Sequence, residues 1–435
     1  MKMRLLAAGS SVAILGGLTM MLPNATYAAS HTTIQVWTLQ LGQSFKPYVD
    51  QVIHDFNKKF PNVSVQWVDV AGNDIDSKYL ANYAAGTSPA LANLDYNAFT
   101  EMANEIIPLN KYLTKAQQNA FPAGAIDPLK VNGKIMAIPF YGAGEAIPEI
   151  YNMALLNKAG IKTPPKTLSQ FYQDGLALHK ADPNAYMAIG GAQTPGPGLA
   201  NNGQFEYLPV YSKNYHQIIY DTPAAVRMWK QVKTYWNGGV WDPDSISNVN
   251  SLQLFLQGTL AQYGGGMETQ LQAAWGPIKS HIQVGPPLYG PSGTFDTSPA
   301  FFWVVSKQTK DPLAATQLAM TFESVPNQLL FSKMTDGDVG PMSKAAIKDP
   351  AFYSYFKKGQ TLQKKYAELQ ADTMAHGIAA PALPLPSTLL NQIGEILQTQ
   401  LNNVLISNAS VPSSLKTAQT QAQAALNKYW ASVKK

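Results

Sequence analysis

The sequence predicts an α/β fold built around a largely parallel sheet. Short β-rich runs alternate with helical patterns through the first part of the chain, and the pattern becomes more helical after residue 151. Apolar residues make up 46% of the 435 residues, which is enough for a sizeable core and for two or three domain equivalents. Strands that alternate with helices favour a parallel sheet covered on both faces.

The first 28 residues predict a secretory signal peptide. This segment starts with basic residues, continues with the apolar run 5–22, and ends with small residues that include Thr26 and Ala28. The alternative is an uncleaved membrane helix, but glycines and a proline interrupt the run. The chain has no cysteine, so it lacks disulfides, thiolate metal sites and a lipid-modified cysteine. We therefore expect secretion to the periplasm or medium without a lipid anchor through Cys.

Low charge restricts the classes of partner. Charged residues are 14% of the chain, against about 25% in an average globular protein. Removal of Lys2 and Arg4 with the signal lowers the net charge from +5 to +3. The sequence contains no cluster of Lys and Arg residues of the kind that nucleic-acid binding requires. Arg227 is the only arginine after the signal, which disfavours anionic ligands, although a lysine or a helix N-terminus could still hold one.

Elements of the first half follow in order. "TTIQVWTLQ" is β-rich and predicts the first strand, and the helical spacing in "FKPYVDQVIHDFNKKFPN" predicts a helix closed by Pro61. "VSVQWVDV" alternates like a strand, "SKYLANYAAG" predicts a short helix ending at Gly86, and "LANLDYNAF" predicts a strand that runs into a loop. Two further strands are expected at Ile135–Phe140 and Ala146–Asn152.

The later elements carry clear helix start signals. Thr167 or Ser169 can cap a helix that follows paired prolines, and Asp311 with Pro312 begins another. "SPAFFWVVSK" predicts a strand between these helices, and the last 23 residues predict an amphipathic helix. Loops are expected at residues 191–204 and 381–387 from their proline, glycine and asparagine content.

Five sequence blocks together resemble the extracellular solute-binding proteins of bacterial ABC importers, the group that includes maltose- and oligosaccharide-binding proteins. They are "VIHDFNKKFPNVSVQW", "YAAGTSPALANLD", "NGKIMAIPF", "YNMALLNKAGIKTPPKTLSQF" and "FLQGTLAQYGGG". Each block is weak alone, but their order across roughly 300 residues is specific. Ala90 replaces the usual aspartate, and Met267 with Glu268 stand where a tryptophan is common.

The resemblance implies a two-lobed, type II periplasmic-binding-protein-like fold with a hinge and a ligand cleft between the lobes. Lobe one is predicted at residues 31–142 plus 300–338, and lobe two at 146–296 plus 342–435. Glycines at Gly142 and Gly144 can absorb the backbone change of hinge motion, which explains a small-residue gap between two apolar strands. The family implies a monomer that binds its ligand and delivers it to a membrane ABC permease, without catalysis, cofactor or metal.

A neutral carbohydrate, and in particular an oligosaccharide, is the expected ligand, because 21 Tyr, 8 Trp and many amides supply ring faces and hydroxyl partners. Strand ends, the hinge and the glycine-rich block supply the candidates. The predicted ligand-binding residues are Gln40, Gln43, Asp95, Tyr96, Tyr141, Glu145, Glu206, Tyr207, Trp241, Met267, Glu268, Trp303 and Asp338. The resemblance itself places Glu145 against sugar hydroxyls. Core burial is the competing interpretation for Trp303, and a surface turn for Asp338.

Two other functions stay open at this point. A secreted carbohydrate-active hydrolase needs two facing carboxylates, which 27 acidic residues could supply. A polyamine or metal-ion binder on the same scaffold would need a carboxylate cluster, for which Asp95, Glu145, Glu206 and Glu268 are available. No His-Glu-x-x-His, phosphate-loop or Gly-x-Ser-x-Gly motif supports another enzyme class.

Overall fold

A computed structural model describes residues 31–71, 74–95, 99–141, 148–189, 208–246, 251–264, 275–288, 301–376 and 385–433. The strands are β1 Thr32–Leu39, β2 Val63–Val70, β3 Leu91–Asp95, β4 Lys130–Val131, β5 Lys134–Ile135, β6 Ala137–Tyr141, β7 Glu149–Asn152, β8 Ala188–Ile189, β9 Trp241–Asp242, β10 Gln262–Tyr263, β11 Ile282–Gly285 and β12 Phe301–Val305. The expected single strand Ile135–Phe140 is divided between β5 and β6.

Helices follow the strands closely in the first half and dominate the end of the chain. They are α1 Lys46–Asn57, α2 Ile75–Ala84, α3 Phe99–Met102, α4 Lys115–Gln118, α5 Ala123–Ile126, α6 Met153–Lys158, α7 Leu168–Ala181, α8 Pro223–Asn237, α9 Ser251–Gln257, α10 Pro312–Phe322, α11 Val325–Met334, α12 Lys344–Ile347, α13 Ala351–Ser354, α14 Thr361–His376, α15 Ser387–Leu405 and α16 Val411–Val433.

Predicted caps form where the sequence placed them. The Thr167 hydroxyl accepts a hydrogen bond from the Gln170 backbone N–H and starts α7, and Asp311 accepts one from the Ala314 N–H and starts α10. Each cap satisfies a backbone donor that the first helical turn leaves unpaired. The sequence offered Thr167 or Ser169 as the α7 cap, and in the structure the cap is Thr167.

The larger sheet has the strand order β2-β1-β3-β12-β6. β1 is parallel to β2 and β3, whereas β12 runs antiparallel between β3 and β6. β1, β2, β3 and β6 therefore end at one edge, where β12 begins. Alternating residues of β12 enter separate cores: Trp303 and Val305 lie on one face, and Phe302 and Val304 on the other. Burial of both faces explains why β12 is a continuous apolar run.

A smaller antiparallel sheet has the order β10-β7-β11 and packs with the later helices. We call the larger sheet with its cores the first unit, and the smaller sheet with its cores the second unit. The long helices α15 and α16 pack against each other and against α8 in the second unit. Of the apolar stripe predicted for the final helix, Leu415, Ala418, Ala422 and Leu426 are buried, whereas Tyr429 is half-buried and Val433 is exposed near the chain end.

One segment after residue 341 departs from the predicted lobe boundary at 342. Met342 is buried in the core of the first unit, and the Lys344 N–H donates to the Ala120 carbonyl of that unit. α14 contacts both units, because its Tyr366 packs beside β7 and its Met374 packs in the first-unit core. Sequence order alone could not assign this segment, since its apolar residues fit either core. The predicted hinge at residues 142–145 lies outside the described ranges.

Candidate functional site

Several sequence-predicted residues meet at the carboxyl edge of the larger sheet. In the β3-β12-β6 register, Asp95 lies opposite Phe301, and Phe301 lies opposite Tyr141. Gln40 follows the end of neighbouring β1. Ligand sites of open α/β sheets lie at this edge, because loops there are held by a rigid sheet while their side chains stay accessible. The structure thus brings the backbones of Gln40, Asp95 and Tyr141 to one edge.

The loop after β1 is fixed by the carboxylate of Asp69. Its Oδ1 accepts hydrogen bonds from the Leu41 N–H at 3.0 Å and the Thr38 hydroxyl at 2.7 Å, and its Oδ2 accepts from the Gly42 N–H at 2.9 Å. Gln40 is exposed and has a left-handed φ of 50°. A non-glycine residue held in this conformation requires support from its surroundings, which Asp69 supplies.

Asp69 is a positioning residue that sequence reasoning missed. It sits in the alternating strand "VSVQWVDV", where a single acid is typical of a solvent-facing position. Its pairing with a loop across the sheet depends on the β1–β2 register, in which Thr38 lies beside Asp69. No feature of the local sequence encodes that register.

Aromatic rings form a second feature of the same edge. Tyr141 lies 4.4 Å from Phe301 and 5.6 Å from Phe331, centroid to centroid, and Phe45 lies 5.3 Å from Phe331. Phe331 is buried, whereas Phe45, Tyr141 and Phe301 are half-buried. We call these four residues the aromatic edge. Its partly exposed rings offer apolar faces beside the polar loop of Gln40.

The second unit presents a titratable group at the start of β7. Gln262 of β10 donates a side-chain hydrogen bond to the carboxylate of half-buried Glu149. Burial raises the pKa of Glu149 to about 7, and the hydrogen bond from Gln262 opposes that rise only in part. Sequence reasoning selected Glu145 in this stretch and missed Glu149, although both precede the Tyr-Asn pair at 151–152.

Two predicted stacking residues lie inside the cores. Trp241 is 1% exposed and packs edge-on against Tyr172 at 5.5 Å, and Trp303 is 0% exposed and contacts Phe140 at 4.6 Å. Trp303 donates its indole N–H to Glu323. Neither ring offers a free face in this structure, which for Trp303 agrees with the core interpretation. For Trp241 the structure departs from the expectation of an accessible ring, because β9 is covered by α7 and α8 residues.

Asp338 lies in the loop that follows α11. Asp336 and Gly337 have left-handed φ values of 53° and 83°, and the half-buried Asp338 accepts a hydrogen bond from the Gln370 side chain through its backbone carbonyl at 3.2 Å. Phe331, in the helix α11 that precedes this loop, belongs to the aromatic edge. The loop therefore continues directly from a helix that contributes to the candidate site.

Other predicted positions lie outside the described part of the chain, and they stay predictions: Tyr96, Glu145, Glu206, Tyr207, Met267 and Glu268. The side chains of Gln43 and Asp95 also stay predictions, because only their backbones are described. Within the described ranges, no three His, Cys, Asp or Glu side chains are grouped to hold a metal ion. No helix in those ranges has both the length and the apolarity to cross a bilayer.

Comparison with known proteins identifies the wider group. The family described as bacterial extracellular solute-binding protein matches residues 51–358. Proteins of Brucella abortus and Brucella suis, whose names describe them as binding proteins, are 24% identical over 226 residues, or 49% of this chain. The match spans about half the length of these relatives, 52%.

Solved structures share the fold at low identity. The sugar-binding protein MalE of Xanthomonas citri is 18% identical with a TM-score of 0.74, covering 93% of this chain and 99% of that one. A periplasmic-binding protein of Synechococcus sp. MITs9220 is 20% identical with a TM-score of 0.75, covering 91% and 100%. The cyclic α-maltosyl-1,6-maltose binding protein of Arthrobacter globiformis is 16% identical with a TM-score of 0.69, covering 91% and 99%. The predicted type II periplasmic-binding-protein fold is confirmed.

Proposed function

The chain belongs to the bacterial extracellular solute-binding proteins, and we propose that it captures a neutral carbohydrate, most simply an oligosaccharide, for a membrane ABC permease. The observation that carries this proposal is the aromatic edge beside the loop of Gln40. Sugar rings present C–H faces that pack on aromatic rings, and their hydroxyls pair with amides and carboxylates. Both kinds of partner lie together at the carboxyl edge of the larger sheet.

Charge supports a neutral ligand. Arg227, the only arginine among the described residues, is exposed on α8 of the second unit. Lysine remains able to hold an anion, but no lysine is part of the aromatic edge or of the Asp69 network as the described residues define them. A sugar hydroxyl needs a desolvated acceptor or donor rather than a full counter-charge, and the Glu149–Gln262 pair provides both.

The proposed mechanism is binding with closure of two lobes, without bond chemistry. The first unit supplies ring faces and the Gln40 loop, and the second unit supplies Glu149 and Gln262. A ligand that contacts both units stabilises the closed arrangement and shifts an existing open–closed equilibrium. The gap from Gly142 to Gly144 is the proposed first crossing between the lobes, and Glu145 at its end is a proposed hydroxyl partner.

Family membership supports a proposal for the location and partners of the protein. We propose that residues 1–28 direct export and are removed, and that the mature protein acts as a monomer outside the cytoplasmic membrane. The permease partner is tested by adding increasing amounts of the protein to vesicles that carry the permease and measuring ligand uptake. A delivery protein must stimulate uptake of its own ligand. Capture of the ligand without any stimulated uptake would overturn the transport part of the proposal.

A direct binding experiment tests the carbohydrate proposal. The mature protein is heated with glucose, maltose, maltotriose, cellobiose, xylobiose and, as a cationic control, spermidine. A sugar at 100 times its dissociation constant should add about 2.7 kcal/mol to the unfolding free energy, which gives a clear rise in Tm. Chromatography of the same sample should recover the sugar intact. A shift with spermidine alone would favour the polyamine binder, and hydrolysed sugar would favour the hydrolase.

A further inference from the structure

Glu323 is a buried carboxyl group of the first unit, and no basic side chain among the described residues pairs with it. It is 3% exposed and directly follows α10. Its Oε1 accepts the indole N–H of Trp303 at 3.3 Å, and its Oε2 accepts the side-chain N–H of Gln328 at 2.9 Å. A core carboxyl costs free energy if it is ionised, so its retention at this position calls for an explanation beyond packing.

Gln328 carries the connection onward to the end of the Asp338 loop. Its nitrogen also donates to the Glu323 backbone carbonyl at 2.9 Å, while its Oε1 accepts the N–H groups of Met342 at 3.1 Å and Ser343 at 3.4 Å. Both the nitrogen and the oxygen of the Gln328 amide therefore have hydrogen-bond partners that fix its orientation. Because one amide has a fixed donor end and a fixed acceptor end, the Glu323 bonds and the Met342–Ser343 bonds depend on each other.

The same helix reaches the candidate site. Phe331 lies one turn after Gln328 on α11, and residues three apart share a helix face. Phe331 stacks on Tyr48 at 4.8 Å and contacts Tyr141 and Phe45 of the aromatic edge. α11 therefore connects the buried Glu323 network, through Gln328, to the aromatic edge, through Phe331. The Asp338 loop starts at the C-terminal end of α11.

We propose that Glu323 is a positioning residue that, through Gln328, holds the Asp338 loop and the aromatic edge in their binding arrangement. The proposal rests on the proposed function for its effect on ligand affinity, but not for its effect on the loop. It also predicts that ionisation of Glu323 releases the loop. Both effects can be separated by experiment, because the loop is observable in protein without ligand.

Burial raises the pKa of Glu323 well above its ordinary value, against the smaller opposing effect of the two hydrogen bonds. From α1 the titratable group near Glu323 is Tyr48, whose pKa is raised by its own burial, by Glu323 and by Tyr141. β12 and α11 contribute the uncharged Trp303 and Gln328. Because the raised pKa of Tyr48 keeps its hydroxyl neutral at about pH 6 to 8, it does not contribute a change of charge beside Glu323 in that range.

Opening of the network exposes Glu323 to water, where its pKa returns to the ordinary value. Each pH unit above that value and below the folded pKa then favours opening by a factor of about ten. The experiment measures hydrogen exchange of the Met342 and Ser343 amides at about pH 6 and about pH 8, corrected for intrinsic rates. Protection in the wild type should fall as the pH rises from about 6 to about 8, and Glu323→Gln should abolish this pH dependence.

Two Gln→Met variants test whether Gln328 connects Glu323 to Met342 and Ser343. Gln328→Met keeps side-chain length but removes the acceptor, so protection of Met342 and Ser343 should be lower by about tenfold at both pH values. Gln317→Met is the matched control: the Gln317 side chain also joins two elements of the first unit, by donating to the Tyr112 carbonyl at 2.7 Å and to Gln117 rather than to α11. It should leave Met342 and Ser343 protected as in the wild type.

Affinity for maltotriose over the same pH range is the functional measurement. It should weaken more steeply with rising pH in the wild type than in Glu323→Gln, because any pH dependence contributed by Glu149 is common to both proteins. If maltotriose does not bind while the exchange results hold, the proposed function or the chosen sugar fails and the positioning role stands. Equal protection of the two amides at both pH values in the wild type, or an unchanged pH dependence in Glu323→Gln, would overturn the inference.

Discussion

The carboxyl edge of the larger sheet carries half-buried rings around Phe331, whereas β7 of the smaller sheet begins with Glu149 hydrogen-bonded to Gln262. At the first edge, hydrogen bonds to Asp69 hold the backbone loop, and the aromatic edge itself contains no carboxyl group. The second has a carboxyl group whose pKa is about 7. In the proposed clamp, one side therefore contributes shape and apolar contact, and the other contributes hydrogen bonds that depend on pH.

The largest expected effect separates core rings from edge rings. Trp303→Ala and Trp241→Ala should each lower the free energy of unfolding by about 3–5 kcal/mol, because both indoles are fully buried. Guanidinium denaturation measures the change, and Phe301→Ala, at a half-buried ring, should cost clearly less. If either tryptophan variant keeps wild-type stability while losing ligand, that ring belongs to the binding surface instead.

Glu149 should make the second unit sensitive to pH. Its pKa rises from an ordinary 4.5 to about 7 on folding, so the folded state holds the proton more tightly. Stability is then greatest below about pH 4.5 for this group, falls as pH rises towards about 7, and changes no further above that, by about 3 kcal/mol in all. Glu149→Gln should flatten this part of a denaturation profile.

An exposed acid provides the control for that profile. Glu368 lies on the surface of α14 opposite Lys364, and its removal as Glu368→Gln should leave the slope between pH 4.5 and 7 as in the wild type. A profile that Glu149→Gln leaves unchanged would show that the carboxyl is solvated, and the contrast between the two edges would be lost.

Tyr141→Ala should weaken sugar binding by about 1–2 kcal/mol, since a ring face and its packing on Phe301 are lost. Tyr141→Phe keeps the ring and should retain most of the affinity. Calorimetry with the saccharide found in the thermal screen measures both. Equal losses in the two variants would assign the contribution to the hydroxyl, and the aromatic edge would not act through stacking.

The smallest effect concerns the loop that Asp69 fixes. Gln40→Gly should raise the free energy of unfolding by about 0.5–1 kcal/mol, because glycine adopts the left-handed conformation without steric cost. The same change should weaken ligand binding, since the amide is removed. Gln40→Asn, which tolerates this conformation and keeps a shorter amide, is the control. Stability that falls with glycine would mean that the Gln40 side chain supports the fold.

Sequence patterns predicted the elements that depend on local chemistry. The helix starts at Thr167 and Asp311 follow from side chains that accept nearby backbone N–H groups, and the buried stripe of the last helix follows from its periodicity. The order of five motifs identified the family. By contrast, the split of one expected strand into β5 and β6 and the packing of residue 342 on the first unit were decided by long-range contacts.

By itself, the sequence determined a cysteine-free α/β chain with abundant rings and amides, few charges and the motif order of a solute-binding family. Only the tertiary structure decided which of those rings are accessible, as the contrast of Trp241 with Tyr141 illustrates. It also brought Asp69 to the Gln40 loop and Glu323 to Trp303 and Gln328. The physical reason is that composition and periodicity act over a few residues, whereas burial, pKa and hydrogen-bond partners depend on which distant segments the sheet register places side by side.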